Sequence, residues 1–315
     1  MKLSLESLWA RRSSGWSAVD LQGGVFGVNV RLPRQAGQKP LVMEHAAFPR
    51  QTLEPAVLSQ MSRTLTPAKF DVVTVLDRHD YQMFMVDKPV VRDDEMEGSL
   101  RLAVSPLIDY PIDEANLAWL DIPVRQTMGN RVSQLYAVVV KESLVNQRRQ
   151  LFEQARVRLN VVDVRESAQR NISFLLDNDK QATCLIFADQ EGVQLTITFK
   201  GELYLIRFIG ESLFNKSGNG ELAQAIDRLA LEIQRSFDFV RRNYPALNIA
   251  VLYVAPTEAD IGLTDLLKVH LIEEVKLLDL SSIFDIPQSS DLTKPEVQAQ
   301  YFHALGSALR TQAKE

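Results

Sequence analysis

With one cysteine in 315 residues, the chain cannot close an intrachain disulfide. That residue, Cys184, stands in an apolar run with no cationic neighbour in sequence, so it reads as a small buried hydrophobe and not a reactive thiol. Histidine is also sparse: the four, His45, His79, His270 and His303, are dispersed and show no metal-ligand spacing. Neither a Gly-x-Ser-x-Gly elbow nor a Walker-type loop occurs. No stretch approaches the roughly 18 uninterrupted apolar residues of a membrane span. Residues 1–12 carry Leu3, Leu5, Leu8 and Trp9 but lack a continuous apolar segment and a small-residue cleavage site. They read as a strand or short helix packed on the domain, or as a weak membrane-surface contact helped by Arg11 and Arg12. A net charge of −5 argues against a nucleic-acid partner, which calls for a basic face. These absences place the chain in the cytosol, or on the cytosolic side of a membrane.

What the chain does contain is one strand-turn-strand unit written twice, at residues 17–30 and 183–199. Each copy is an apolar run, a polar turn with glycine, and a β-rich run. The first turns at Gln22-Gly23-Gly24, where glycine admits positive φ. Two such hairpins half a chain apart indicate two related domains facing each other, with both turns aimed at a nucleotide phosphate. The second turn, however, holds Asp189 and Glu191.

Between and after the hairpins, strands and helices alternate, which predicts mixed α/β layers. Residues 70–76 and 81–86 read as a further hairpin across Asp77-Arg78-His79-Asp80. Asp93 or Asp94 caps a helix whose Met96, Leu100 and Val104 share one face. The clearest helix spans 221–244, with Leu222, Ile226, Leu229, Ile233, Phe237, Val240 and Tyr244 at three- and four-residue steps. Its mixed-sign charges read as a solvated face. A last helix is expected over 296–312. The acidic groups Asp93-Asp94-Glu95 and Glu273-Glu274 read as solvated or capping charges.

The order of the acidic hairpin, the helix leading into Tyr110-Pro111-Ile112-Asp113-Glu114-Ala115-Asn116-Leu117-Ala118-Trp119, the run Tyr136-Ala137-Val138-Val139-Val140-Lys141, the run 159–164 and the second hairpin resembles the PilM family of type IV pilus assembly proteins. Within that family it is most similar to the MshI proteins of mannose-sensitive haemagglutinin (MSHA) pilus biogenesis. The Pro-Ile-Asp-Glu…Leu-Ala-Trp element is the most specific part. The resemblance implies an actin-like fold, two ribonuclease-H-like halves around a cleft with a small inserted subdomain. It places the first core at 1–87 and 159–178, the insertion at 88–158, the second domain at 179–280 and a closing helical region at 281–315. It also implies a scaffold under the inner membrane that binds the cytoplasmic N-terminal segment of a PilN-like single-pass protein and links to an assembly motor ATPase. The groove for that segment maps to Leu100, Tyr110, Ile112 and Trp119. Two other readings of the same superfamily are a nucleotide-binding ATPase that gates its partner and a platform component of type II secretion.

Against the phosphate turns of that fold, the chain departs in three places. Asp20 matches the first acidic position and Gly23-Gly24 can supply amides, but Gln22 replaces the family glycine. In the second turn Phe187 stands at the acidic position and Asp189 at the glycine, with Glu191 close by. A carboxylate ~4 Å from a phosphate costs about 1 kcal/mol in water and several in a cleft. In the third, Val254-Ala255-Pro256-Thr257 replaces a glycine pair, and proline removes a donor. Neither hydrolysis nor bound ATP and Mg²⁺ is expected, and no other cofactor or metal.

Overall fold

The computed structural model describes residues 15–35, 37–49, 54–65, 70–127, 130–176, 180–214, 216 and 219–310. The expectations for residues 1–12, and for the end of the last helix beyond 310, lie outside them.

The first hairpin pairs β1 (Gly15–Asp20) with β2 (Gly24–Arg31) antiparallel, Ala18 opposite Val28. Gly23 makes the turn at φ +68°, a backbone that side chains with a Cβ adopt reluctantly. Strand β3 (Leu41–Pro49) adds beside β2, and was not foreseen. As an edge strand it is only partly buried, so its apolar alternation is weak. Helix α1 (Pro55–Leu65) opens on proline and lays Leu58, Met61 and Leu65 against Val19, Val25 and Val72. Strand β4 (Asp71–Val75) then runs parallel to β1.

The expected second hairpin does not form. β4 is an inner strand, flanked by β1 and by a later strand, so neither edge is free for its successor. Instead a 3-10 turn at Arg78–Asp80, braced by Asp80 Oδ2 accepting from the Asp77 amide at 3.3 Å, sends the chain away. The next strand, β5 (Tyr81–Asp87), enters a separate sheet. That sheet starts at Tyr81, inside the stretch expected for the first core. Helix α2 (Met96–Val104) covers one of its faces, and β6 (Ala115–Thr127) and β7 (Asn130–Lys141) complete it in the order β5-β7-β6. Met96, Leu100 and Val104 meet Ala115, Leu135, Ala137 and Val139 there, as the helical spacing predicted. Helix α3 (Glu142–Gln154) returns the chain to the first sheet through β8 (Val161–Asp163), parallel to β4.

Helix α4 (Arg165–Leu176) leads to the second half. Here β9 (Ala182–Ala188), β10 (Val193–Phe199) and β11 (Glu202–Ile209) form an antiparallel meander. The long helix α5 (Asn219–Asn243) matches its sequence pattern, burying Ile226, Leu229, Ile233, Phe237 and Val240. After it, β12 (Ile249–Val254) lies parallel to β9, α6 (Leu263–Lys268) follows, and β13 (Glu274–Leu277) lies parallel to β12 at the edge. Among the described residues the sheet orders are β3-β2-β1-β4-β8 and β11-β10-β9-β12-β13. Strand by strand, with the same parallel and antiparallel neighbours, these are one topology used twice.

The last helix is broken, contrary to expectation. α7 (Pro295–Gln300) and α8 (Phe302–Ser307) meet at Tyr301, whose ring packs edge-on against Phe26 and His45. The break lets every residue of α8 be buried. α8 lies so close to α4 that a Cβ at Gly306 would stand 2.2 Å from the Ala168 carbonyl oxygen. Asn171 Nδ2 donates to the Gly306 carbonyl at 3.0 Å. On the second sheet, Gln169 donates to the Leu185 carbonyl at 2.8 Å and to Thr196 Oγ1 at 3.1 Å. Residues of both sheets and of α8, among them Val28, Val73, Leu185, Phe187 and Leu305, share one hydrophobic cluster.

Candidate functional site

Two concave regions matter. The first is the cleft between the two hairpin turns, a cavity of about 230 Å³ bordered by Asp20, Gln22, Gly23, Arg165, Asp189 and Glu191. That is below the roughly 300–1,000 Å³ usual for small-molecule pockets. Of the three expected turns, the first two meet along this cavity through all their named residues except Gly24, and the third, 254–257, is not part of its lining.

Asp20 ends β1 almost fully buried, and its Oδ1 accepts from the Gln22 amide at 2.9 Å. Burial pushes its carboxyl up from 3.8 to about 6, with the Gln22 amide and Arg165 pulling the other way. Across the cleft, Asp189 Oδ1 accepts from the amides of Glu191, at 2.9 Å, and Gly192, at 3.2 Å. Three backbone donors that could face an anion thus point at carboxylates of their own turns.

Arg165 has no place in the sequence-based expectations. This residue, with 2% of its surface exposed, is the centre of the cleft. Its guanidinium pairs with Asp189 and lies 3.5 Å from Glu191 Oε2, while Nε donates to His303 Nε2 at 3.3 Å. Burial, followed by the Arg165 charge, holds His303 well below its usual range, so a neutral imidazole accepts that bond. Gln22 Nε2 reaches Glu191 Oε1 at 3.4 Å, tying the first turn to the second. Phe187, at the family's acidic position, stacks on Phe302 at 4.6 Å. Two acidic residues in one turn demanded a cation, and that demand was the signal available in the sequence.

The second region is a groove of about 320 Å³ between the three-stranded sheet and the first core. Its wall includes the five consecutive residues 116–120 of β6. A strand seen face-on offers alternate residues, so a consecutive run means that β6 presents its edge. Among the described residues β6 pairs with β7 alone. The rest of the lining is mostly aliphatic: Val138 and Val140 of β7, Val145 of α3, Val162 and Val164 near β8. Arg310, held to Asp163 at 2.7 Å, stands among the lining residues.

Of the four residues expected to touch a partner, Trp119 lines this groove with about a third of its surface exposed. Leu100 does not qualify: it is completely buried in the α2 layer, where the i, i+4, i+8 spacing drives it into the core. Tyr110 and Ile112 are partly buried against the same layer, outside the groove lining. Tyr110 carries Lys141 Nζ over its ring at 4.7 Å.

The duplicated topology with an inserted sheet defines an actin-like fold. Residues 53–206 match the family model of the type IV pilus assembly protein PilM, the stretch that includes the inserted sheet and most of the groove. That match covers just under half of the chain. The protein superposes on a chain of the PilM-PilN type IV pilus biogenesis complex with a TM-score of 0.70 at 19% identity, covering 95% of this chain and 98% of that one. A Bacteroides thetaiotaomicron protein with an actin-like ATPase fold and unknown function gives 0.49 at 9% identity, covering 95% and 98%. The cytoplasmic domain of EpsL, an inner-membrane component of the type II secretion system of Vibrio cholerae, gives 0.46 at 11%, covering 91% and 94%. No curated protein matches the chain. No helix among the described residues is long and apolar enough to cross a membrane.

Proposed function

We propose that this chain is a cytoplasmic scaffold of a type IV pilus machine, of the MSHA kind. It captures the cytoplasmic N-terminal segment of a PilN-like inner-membrane protein and so becomes peripheral to that membrane. The observation that carries this reading is the edge of β6 over an aliphatic groove. An extended peptide can add to such an edge through main-chain hydrogen bonds while its side chains fill the apolar lining. Trp119 is the aromatic anchor. On this reading the actin-like halves are a rigid frame, and the scaffold passes the partner's position to a motor ATPase.

The cleft, in turn, is a closed structural joint and not an ATPase site. Its turn amides are satisfied by carboxylates, and the cation beside them is already paired with Asp189. A triphosphate would have to displace those carboxylates and bring its own negative charge beside Asp20, Asp189 and Glu191.

The test is calorimetric titration with a synthetic peptide of the PilN-like partner's cytoplasmic N-terminus. Binding that Trp119→Ala weakens at least about tenfold supports the groove. Equal affinity for wild type and a folded Trp119→Ala protein contradicts it.

A further inference from the structure

The β6 groove is the first of four depressions that join end to end. Trp119 and Leu120 also line a second hollow of about 590 Å³, which reaches Arg170 and Glu202. Those two residues border a third, of about 500 Å³, around Phe174, Leu175, Lys200 and Leu309. Leu32 and Pro33, on its rim, continue into a fourth, of about 690 Å³, that contains Arg31, Arg34 and Lys39. Adjacent depressions share two lining residues at each junction, so the whole is one trough. It passes along the exposed side of α4, where Ser167, Arg170, Asn171 and Phe174 follow at helical steps.

The chemistry changes along the trough. It begins aliphatic at β6. In the middle stands Phe174, a large aromatic with 56% of its surface exposed, beside the third depression. The far end is cationic: Arg31, Arg34 and Lys39 are exposed, against the single carboxylate of Asp285 in its lining. This is a local excess of positive charge on a chain whose net charge is −5.

We infer that the trough is one continuous peptide track, longer than the strand-addition groove alone. Its occupant is the same extended partner segment proposed for β6, so the inference rests on that reading. After the stretch paired with β6, the segment places a large apolar side chain against Phe174 and ends in one or more carboxylates facing Arg31, Arg34 and Lys39. Continuity with the β6 groove argues for the same occupant, and the exposed cations at the far end set the charge it must carry there. Phe174 supplies buried apolar contact, and the cationic end supplies register and a salt-dependent association rate.

Two synthetic peptides of the partner's cytoplasmic N-terminus test this. One covers only the stretch that pairs with β6, and the other adds about ten residues, ~33–36 Å in extended form. The longer peptide binds at least about tenfold more tightly, and raising the salt concentration narrows the difference. Phe174→Asp and Arg34→Glu, both at exposed positions, weaken the long peptide about tenfold and leave the short one unchanged, with unaltered melting temperatures. Trp119→Ala weakens both. If Phe174→Asp and Arg34→Glu leave the long peptide's affinity alone while Trp119→Ala still acts, the track is wrong and the β6 groove stands. If Trp119→Ala has no effect either, the groove reading fails with it. If the same two charge-altering variants instead abolish co-sedimentation with phosphatidylglycerol vesicles and spare the peptide, the basic end faces lipid and the track is overturned.

Discussion

Arg165 shows how one side chain can change the meaning of a cleft. Its guanidinium is buried and paired with Asp189, with Glu191 at 3.5 Å. Removing a buried partner strands the other charge, so Arg165→Met should cost about 3 kcal/mol in urea unfolding, the lower part of the usual range because both carboxylates keep some solvent. Asp20 makes a prediction of opposite sign. Its carboxyl titrates near 6 when folded and near 3.8 when unfolded. Folding therefore favours the neutral acid: the stability that Asp20 contributes is fully present below pH ~4 and is lost as pH rises through ~6. By linkage the loss is about 2–3 kcal/mol. Asp20→Asn keeps the acceptor for the Gln22 amide and avoids the buried charge. It should stabilise the protein at pH 7.5 by about 2 kcal/mol and show no gain at pH 4, read from urea midpoints at both values. Asp20, Asp189 and Glu191 were legible as cleft residues because they sit in hairpin turns, whose position the strand pattern fixes. Arg165 was not, because its role depends on a helix start meeting a turn from the other half of the chain.

Elements with a strong periodic signal were read correctly from the sequence: α2 with its three inward residues and α5 with its long apolar stripe. The failures came where pairing partners lie far apart. β4 and β5 look like a hairpin in sequence, yet β4 has both edges occupied within its own sheet and β5 pairs with β7. Leu100 was misassigned for a related reason, since the same apolar residue type serves a core layer and a binding groove. The contact between α4 and α8 is another long-range feature, invisible until Gly306 is seen against the Ala168 carbonyl. Gly306→Val has no space there and should destabilise the protein by about 1–3 kcal/mol, checked by thermal melting. For β6 the edge itself matters, because five consecutive residues face the groove and main-chain pairing needs no particular partner sequence.

At the scale of the molecule, the two halves are joined by shared packing. Residues of both sheets lie in one cluster with α8, and α4 bonds to both the second sheet and α8. With Arg165 tying the second turn to His303 and Gln22 reaching Glu191 from the first, the arrangement is, on the proposed reading, a frame for a peptide and not a clamp that opens for nucleotide. Mg-ATP at millimolar concentration should accordingly leave the melting temperature unchanged, whereas a ligand at 100 times its Kd would add about 2.7 kcal/mol. The overall architecture was legible because its duplicated hairpin survives in the sequence. The trough was not, since its lining comes from β2, β6, α4, the β10–β11 turn and the C-terminal region. The most direct measurement is amide hydrogen exchange across residues 116–120 with and without the partner's N-terminal peptide. Strand addition at β6 requires slowed exchange in that segment, with smaller changes at the cleft turns. Saturating peptide that leaves exchange there unaltered would contradict peptide capture by this edge.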